Sequence, residues 1–266
     1  MAKEINMQAL IGYVLFLVPL YFITFKLKLN IMKNITISIV RMVIQLYLVG
    51  LYLNYIFSWN NPFINVAYFL FMITAATFSV IKTSNINFKY FITPVFISTF
   101  LPNVVILFYL NYFVIKLENI YDSIYVIPLG GMLLGNALKG NIIAISSFLS
   151  DLKNNEKRYF YKIMLGANKI EATLPFIRNS MVISLNPTIA NMATVGIVSL
   201  PGMMTGQILG GFSPSVAIKY QLAIMFGIFV SQYLSSILCI YLSLKTGFTK
   251  NDLLKENAVL VEENYG

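Results

Sequence analysis

Long apolar blocks separated by short polar breaks repeat along the whole chain. Seven of them, at 7–25, 35–57, 62–81, 90–115, 123–148, 181–200 and 215–244, are long enough to cross a bilayer as helices. The pattern predicts an all-α fold, a polytopic transmembrane bundle of about seven spans within 1–250, followed by a short cytoplasmic tail at 251–266. The block at 7–25 is longer than the apolar core of a secretory signal and lacks a small-x-small cleavage site, so it reads as a first span.

The polar breaks carry charge in a regular way. The first holds Lys26, Lys28 and Lys33, the third Lys82 and Lys89, and the fifth Lys153, Lys157, Arg158, Lys162, Lys169 and Arg178. The tail adds Lys245, Lys250 and Lys255. Between them, the break at 58–61 is uncharged, the one holding Lys116, Glu118 and Asp122 is slightly negative, and 201–213 is uncharged. Basic breaks mark the cytoplasmic side. The alternation therefore predicts the N-terminus outside and the C-terminus cytoplasmic, with fourteen of the nineteen lysines and arginines on the inner side.

Composition agrees with lipid as the main solvent, because 58% of the 266 residues are hydrophobic and only 11% charged. The net charge of +9 sits in loops that orient the chain, so no nucleic-acid partner is implied. There is no His and a single Cys, Cys239, which excludes an internal disulfide and the usual zinc and haem ligand sets. No phosphate-binding GxxxxGK[ST] loop, GxSxG, HExxH or EF-hand run is present. The chain is read as no enzyme, with no cofactor of its own.

The longest basic loop has internal order. From 156 to 178 the apolar residues Phe160, Ile163, Met164, Ala167, Ile170, Leu174 and Ile177 recur at steps of three and four, the stripe of one amphipathic helix. Gly166 lies mid-segment, and Pro175 ends or kinks it. The helix either lies in the headgroups or docks a cytoplasmic partner.

Other features sit within the spans. Gly131 and Gly135 form a GxxxG pair suited to close helix packing, next to Asn136, Lys139 and Asn141. Arg41 and Gln45 share a helix face four residues apart, as an inner-interface anchor or a functional polar contact. The uncharged segment 198–211 holds Pro201 and four glycines, composition that makes a poor continuous helix and suits a re-entrant, pathway-lining element or an outer turn.

Taken together, Arg41-Met42-Val43-Ile44-Gln45-Leu46, the 128–136 glycine segment, Leu165-Gly166-Ala167, Asn186-Pro187-Thr188-Ile189-Ala190-Asn191, Leu200-Pro201-Gly202-Met203-Met204-Thr205-Gly206-Gln207-Ile208 and Tyr220-Gln221 resemble the FetB-type family of ABC transporter permeases. Its bacterial members are linked to iron export and a plant branch to aluminium tolerance. The resemblance implies a permease of the cytoplasmic (inner) membrane, paired as a homodimer in the lipid bilayer with a separate ATP-binding subunit that holds ATP and Mg. Phe160, Ile163, Met164, Gly166, Ala167 and Ile170 would carry the docking, with Gly166 matching the glycine of a Glu-Ala-Ala-x-x-x-Gly pattern whose first three positions here are Phe160, Tyr161 and Lys162. Arg41, Gln45, Asn136, Asn191, Met203, Met204, Gln207 and Gln221 are the pathway candidates. A metal cargo follows from the resemblance alone; Met132, Met203 and Met204 could be soft ligands or core fillers. An ATP-independent transporter or channel, and a membrane scaffold recruiting a cytoplasmic protein, are the rival readings.

Overall fold

The computed structural model describes residues 6–249, 252–255 and 258. The elements are α1 (Met7–Val14), α2 (Leu17–Lys26), α3 (Met32–Trp59), α4 (Pro62–Thr83), α5 (Phe88–Tyr109), a π-helical turn (Leu110–Val114), α6 (Ser123–Asn154), α7 (Glu156–Met164), α8 (Lys169–Thr194), α9 (Gly202–Leu209) and α10 (Pro214–Thr246). Among the described residues six helical stretches are long and apolar enough to cross a membrane: Gln8–Lys26, Met32–Trp59, Pro62–Thr83, Phe88–Val114, Ser123–Asn154 and Pro214–Thr246. These correspond to six of the seven expected blocks, and the chain is a multi-pass helical membrane protein.

The seventh block, 181–200, differs from expectation. Its helix, α8, begins at Lys169 and stops at Thr194, and it carries Ser180, Ser184, Asn186, Thr188 and Asn191 among its apolar residues. α8 has the length of a span without the hydropathy of one. Ser180, Ser184 and Thr188 point into the bundle and are buried there.

Local chemistry explains the breaks between helices. α1 and α2 form two helices where one was expected, because Pro19 has no N–H to donate to the Leu15 carbonyl one turn back. Asparagine side chains cap α4 through Asn61, α5 through Asn87 and α8 through Asn168, while Asp122 caps α6. Pro62 and Pro214 occupy the first turns of α4 and α10, where a missing N–H costs nothing. At the α3–α4 turn the Asn60 carbonyl oxygen accepts from the Ser123 backbone N–H at 2.9 Å, from its hydroxyl at 3.0 Å and from Asn65 at 3.1 Å. That one amide ties the start of α6 to the corner of the preceding hairpin.

α4, α5, α6, α8 and α10 make the body. One apolar core lies towards the α7 end around Phe91, Ile145, Phe148, Tyr159, Phe176 and Ile240. The other lies towards the opposite end around Phe69, Ile73, Leu129, Leu133 and Ile224. The glycines with the tightest surroundings are Gly130, where an added Cβ would meet the Phe69 ring at 2.5 Å, and Gly140, where it would meet Gln232 Cγ at 2.6 Å. The expected pair is not where that closeness occurs: a Cβ at Gly135 would meet nothing within 4 Å and one at Gly131 only the end of Met72. The i,i+4 glycine pattern is set by sequence, but the neighbour's position selects which glycine is needed. α1–α3 form an arm beside this body, and α3 has no buried residue.

Of the expected tail, Asp252–Lys255 and Ala258 lie among the described residues and fold back on the body; the rest lies outside them. The Asn87 N–H donates to the Ala258 carbonyl at 3.0 Å, and Lys255 Nζ reaches the Thr246 carbonyl at 2.6 Å while lying 4.3 Å above the Tyr90 ring.

Candidate functional site

A cavity of about 530 Å³ opens between α6, α8, α9 and α10. Met132 and Asn136 face it from α6, Thr188 and Asn191 from α8, Met203 from α9, and Gln221 and Met225 from α10. Ser199 and Pro201 from the α8–α9 connection, Gly202 at the start of α9, and Ile224 and Ile228 of α10 also line it. Among the described residues no lining side chain is charged.

The polar groups of this wall are not all satisfied. Asn136 donates to the Met132 carbonyl at 2.8 Å, one turn back on its own helix. Gln221 is 6% exposed, yet its side-chain carbonyl has no hydrogen-bond partner. A buried amide oxygen left alone costs free energy on the order of 1–3 kcal/mol.

Behind the wall runs a polar seam that joins the helices. Thr188 donates to Gln232 Oε1 at 2.6 Å, and Gln232 Nε2 donates to the Ser184 carbonyl at 3.1 Å. The Ser184 hydroxyl donates to the Gly140 carbonyl at 2.9 Å. Asn141 donates to Thr99 Oγ1 at 3.1 Å and Ser235 Oγ at 2.8 Å, and Ser231 donates to Asn103 Oδ1 at 2.8 Å. Thr188, Gln232, Asn103 and Ser231 escaped the sequence reading. The signal for Ser231 and Gln232 was present as Ser231-Gln232 and Ser235-Ser236, polar pairs one turn apart inside an apolar helix.

Four of the eight pathway candidates, Asn136, Asn191, Met203 and Gln221, meet at the cavity. Met204 is buried next to Met203 in α9, and Gln207 stands one turn further along α9 with its side-chain amide oxygen unpaired. Arg41 and Gln45 lie apart from the cavity, exposed on the arm. The segment 198–211, expected to make a poor continuous helix, contains the two-turn helix α9, whose first residues Gly202 and Met203 line the cavity.

At the far end of α6 and α8 lies the basic loop. It is not one helix across 156–178. α7 stops at Met164 and α8 starts at Lys169, with Gly166 between them at φ +90°. The Gly166 N–H donates to the Ile163 carbonyl at 3.0 Å and the Ala167 N–H to the Lys162 carbonyl at 3.0 Å, a left-handed glycine stop. Asn168 and Glu171 then exchange side-chain to backbone hydrogen bonds, both at 2.9 Å, as a capping box. Pro175, expected to end or kink the helix, lies inside α8. The stripe read as a single face is thereby divided. Phe160, Ile163 and Ala167 pack on the body, while Met164 at 83% and Ile170 at 46% exposure face outwards beside Tyr161 and Leu165.

The C-terminal residues brace this elbow. Asp252 pairs with Lys169 at 2.7 Å, and the Tyr159 hydroxyl donates to the Asp252 backbone carbonyl at 2.6 Å. Burial, and then the Asp252 carboxylate, push the Tyr159 phenol up to about 12.

Comparison with known proteins yields a consistent set. The family described as "Uncharacterised protein family (UPF0014)" matches residues 7–248. The Escherichia coli K12 protein "Probable iron export permease protein FetB" is 32% identical over 244 residues, 91% of this chain and 92% of its own length. Arabidopsis thaliana "Protein ALUMINUM SENSITIVE 3" is 30% identical over 230 residues, 86% of this chain and 82% of its own length. The Bacillus subtilis "UPF0014 membrane protein YjkA" is 28% identical over 244 residues, 91% of this chain and 96% of its own length. No solved structure matches the chain.

Proposed function

The chain belongs to the UPF0014 family, and from that premise we propose that it is the permease subunit of an ABC-type exporter, working as two copies with two separate ATP-binding subunits. One observation carries the reading: α6 and α8 run without a break from the exposed elbow to the cavity. Lys169 and Asn191 are 22 residues apart on α8, about 33 Å along one continuous helix. A push on Met164, Leu165 and Ile170 reaches Thr188 and Asn191 as a tilt of that helix. The polar seam through Gln232 passes the tilt to α10 and hence to Gln221.

In this mechanism the elbow faces the cytoplasm, and ATP and Mg belong to the docked subunit. ATP binding draws two such subunits together and moves the elbows. The cavity then alternates between closed and open, and hydrolysis resets it. This chain contributes the path and the lever.

The cargo proposed, after the printed name of the FetB relative, is iron. Hard iron ions favour charged oxygen ligands, whereas the lining offers amides, hydroxyls and thioethers without a carboxylate. The cavity is also many times the roughly 30 Å³ share of one water. The fit is to iron carried with its own ligands, its charge already compensated, and held by amide and hydroxyl hydrogen bonds.

The test is reconstitution of the chain with its ATP-binding subunit in vesicles. ATP-dependent iron flux is expected, with Gln221→Ala lowering flux while the ATPase still copurifies. An absence of ATPase copurification, or flux that continues without ATP, overturns the reading.

A further inference from the structure

α3 spans Met32–Trp59, 28 residues, and none is buried. Lipid covers its apolar side chains at no cost. Gln45 is different. It lies at the middle of the helix, 13 residues from Met32 and 14 from Trp59, about 20 Å from either end. A hydrocarbon layer of roughly 30 Å, placed anywhere along α3, leaves this residue at least about 9 Å from both surfaces. A glutamine side chain cannot span that distance to reach water.

Arg41 is one turn nearer Met32 on the same face, and the two line a groove of about 430 Å³ with Thr36, Ile37, Val40 and Ile44. Neither has a hydrogen-bond or ion-pair partner among the described residues. Polar side chains at membrane depth meet protein or water rather than lipid tails. The body of this chain does not supply that cover: the chain exposes 17394 Å², against roughly 11,700 Å² for a compact monomer of its mass. A cytoplasmic ATPase does not reach the centre of the bilayer.

We infer that α3 packs against α3 of a second copy of this chain, with the two Gln45 amides hydrogen-bonded to each other across a two-fold axis normal to the membrane. Such an axis brings identical residues to identical depth. An amide has donors and acceptors and is its own complement. The two Arg41 guanidiniums, closer to the surface, extend along their stems towards the headgroups and stay apart. The arm is then a clasp between copies. The inference rests on the two-copy assembly proposed above and locates its contact.

Cysteines placed at Ile37 or Ile44, in a Cys239→Ser background, leave Gln45 in place. Oxidation in native membranes should cross-link both as dimers, and Leu101→Cys, exposed on α5, should not. Gln45→Leu should then reduce the Ile44→Cys cross-link by roughly 3- to 20-fold, the range for an interhelical polar contact in a membrane, with Gln45→Asn retaining most of it. No cross-link on α3, equal cross-linking at Leu101→Cys, or indifference to Gln45→Leu overturns the inference. Native mass spectrometry separates the two failures: a dimer without an α3 cross-link removes the contact and keeps the assembly, and a monomer removes both.

Discussion

The Thr188 hydroxyl donates to Oε1 of Gln232 across 2.6 Å, joining α8 to α10 at the edge of the cavity. Thr188 is 9% exposed and Gln232 3% exposed, so water does not replace this bond when it is lost. Thr188→Val keeps the shape and deletes the donor, leaving a buried amide oxygen alone. The expected cost is about 1–3 kcal/mol, read as a lowered melting temperature in detergent. Thr188→Ser should recover most of it.

Two glycines of α6 should respond in opposite ways to the same change. Gly140→Ala places a methyl 2.6 Å from Gln232 Cγ and 2.9 Å from Ser236 Oγ, and overpacking of this kind costs about 1–3 kcal/mol. Gly135→Ala meets nothing within 4 Å and should be neutral or gain up to about 1 kcal/mol from helix propensity. Thermal unfolding of the two variants side by side checks the pair; equal losses would mean that α6 and α10 are not this close.

Tyr159→Phe removes the donor to the Asp252 carbonyl and should weaken the hold on the C-terminal residues by about 1 kcal/mol. Lys169→Ala breaks a pair whose side chains are 26% and 36% exposed, so less than about 1 kcal/mol is expected. Limited proteolysis near Asp252 should therefore accelerate more in the first variant. The phenol is raised to about 12, above its ordinary value near 10. Its contribution is complete below that ordinary value and is lost as the pH rises towards 12. Tyr159→Phe should lack this alkaline loss.

Cys239 is fully buried on α10. A membrane-permeant maleimide should leave it unmodified in the folded chain and label it only on denaturation. Rapid labelling of the native protein would place α10 differently from the packing described.

The blocks and their polar breaks specified the helical membrane class directly, because a backbone in hydrocarbon has to satisfy its own hydrogen bonds, and apolar length reports where that happens. Candidate polar residues were legible for the same reason: Asn136, Asn191 and Gln221 are anomalous in apolar runs. Gly166 and Asn168 carry the signals of a helix stop and a helix start, yet the period of three and four continued through them, and periodicity alone joined α7 to α8.

What the sequence determined by itself is what depends on neighbours along the chain: helix existence, caps, the charge of each loop and the absence of catalytic motifs. Tertiary structure decided which of those residues meet. It gathered Asn136, Asn191, Met203 and Gln221 around one cavity, left Arg41 and Gln45 on the arm, and put the close approach at Gly140 rather than Gly135. The physical reason is that hydropathy and periodicity assign a side chain to a helix face, whereas contact requires two faces at one depth, and that is settled only when separate helices pack.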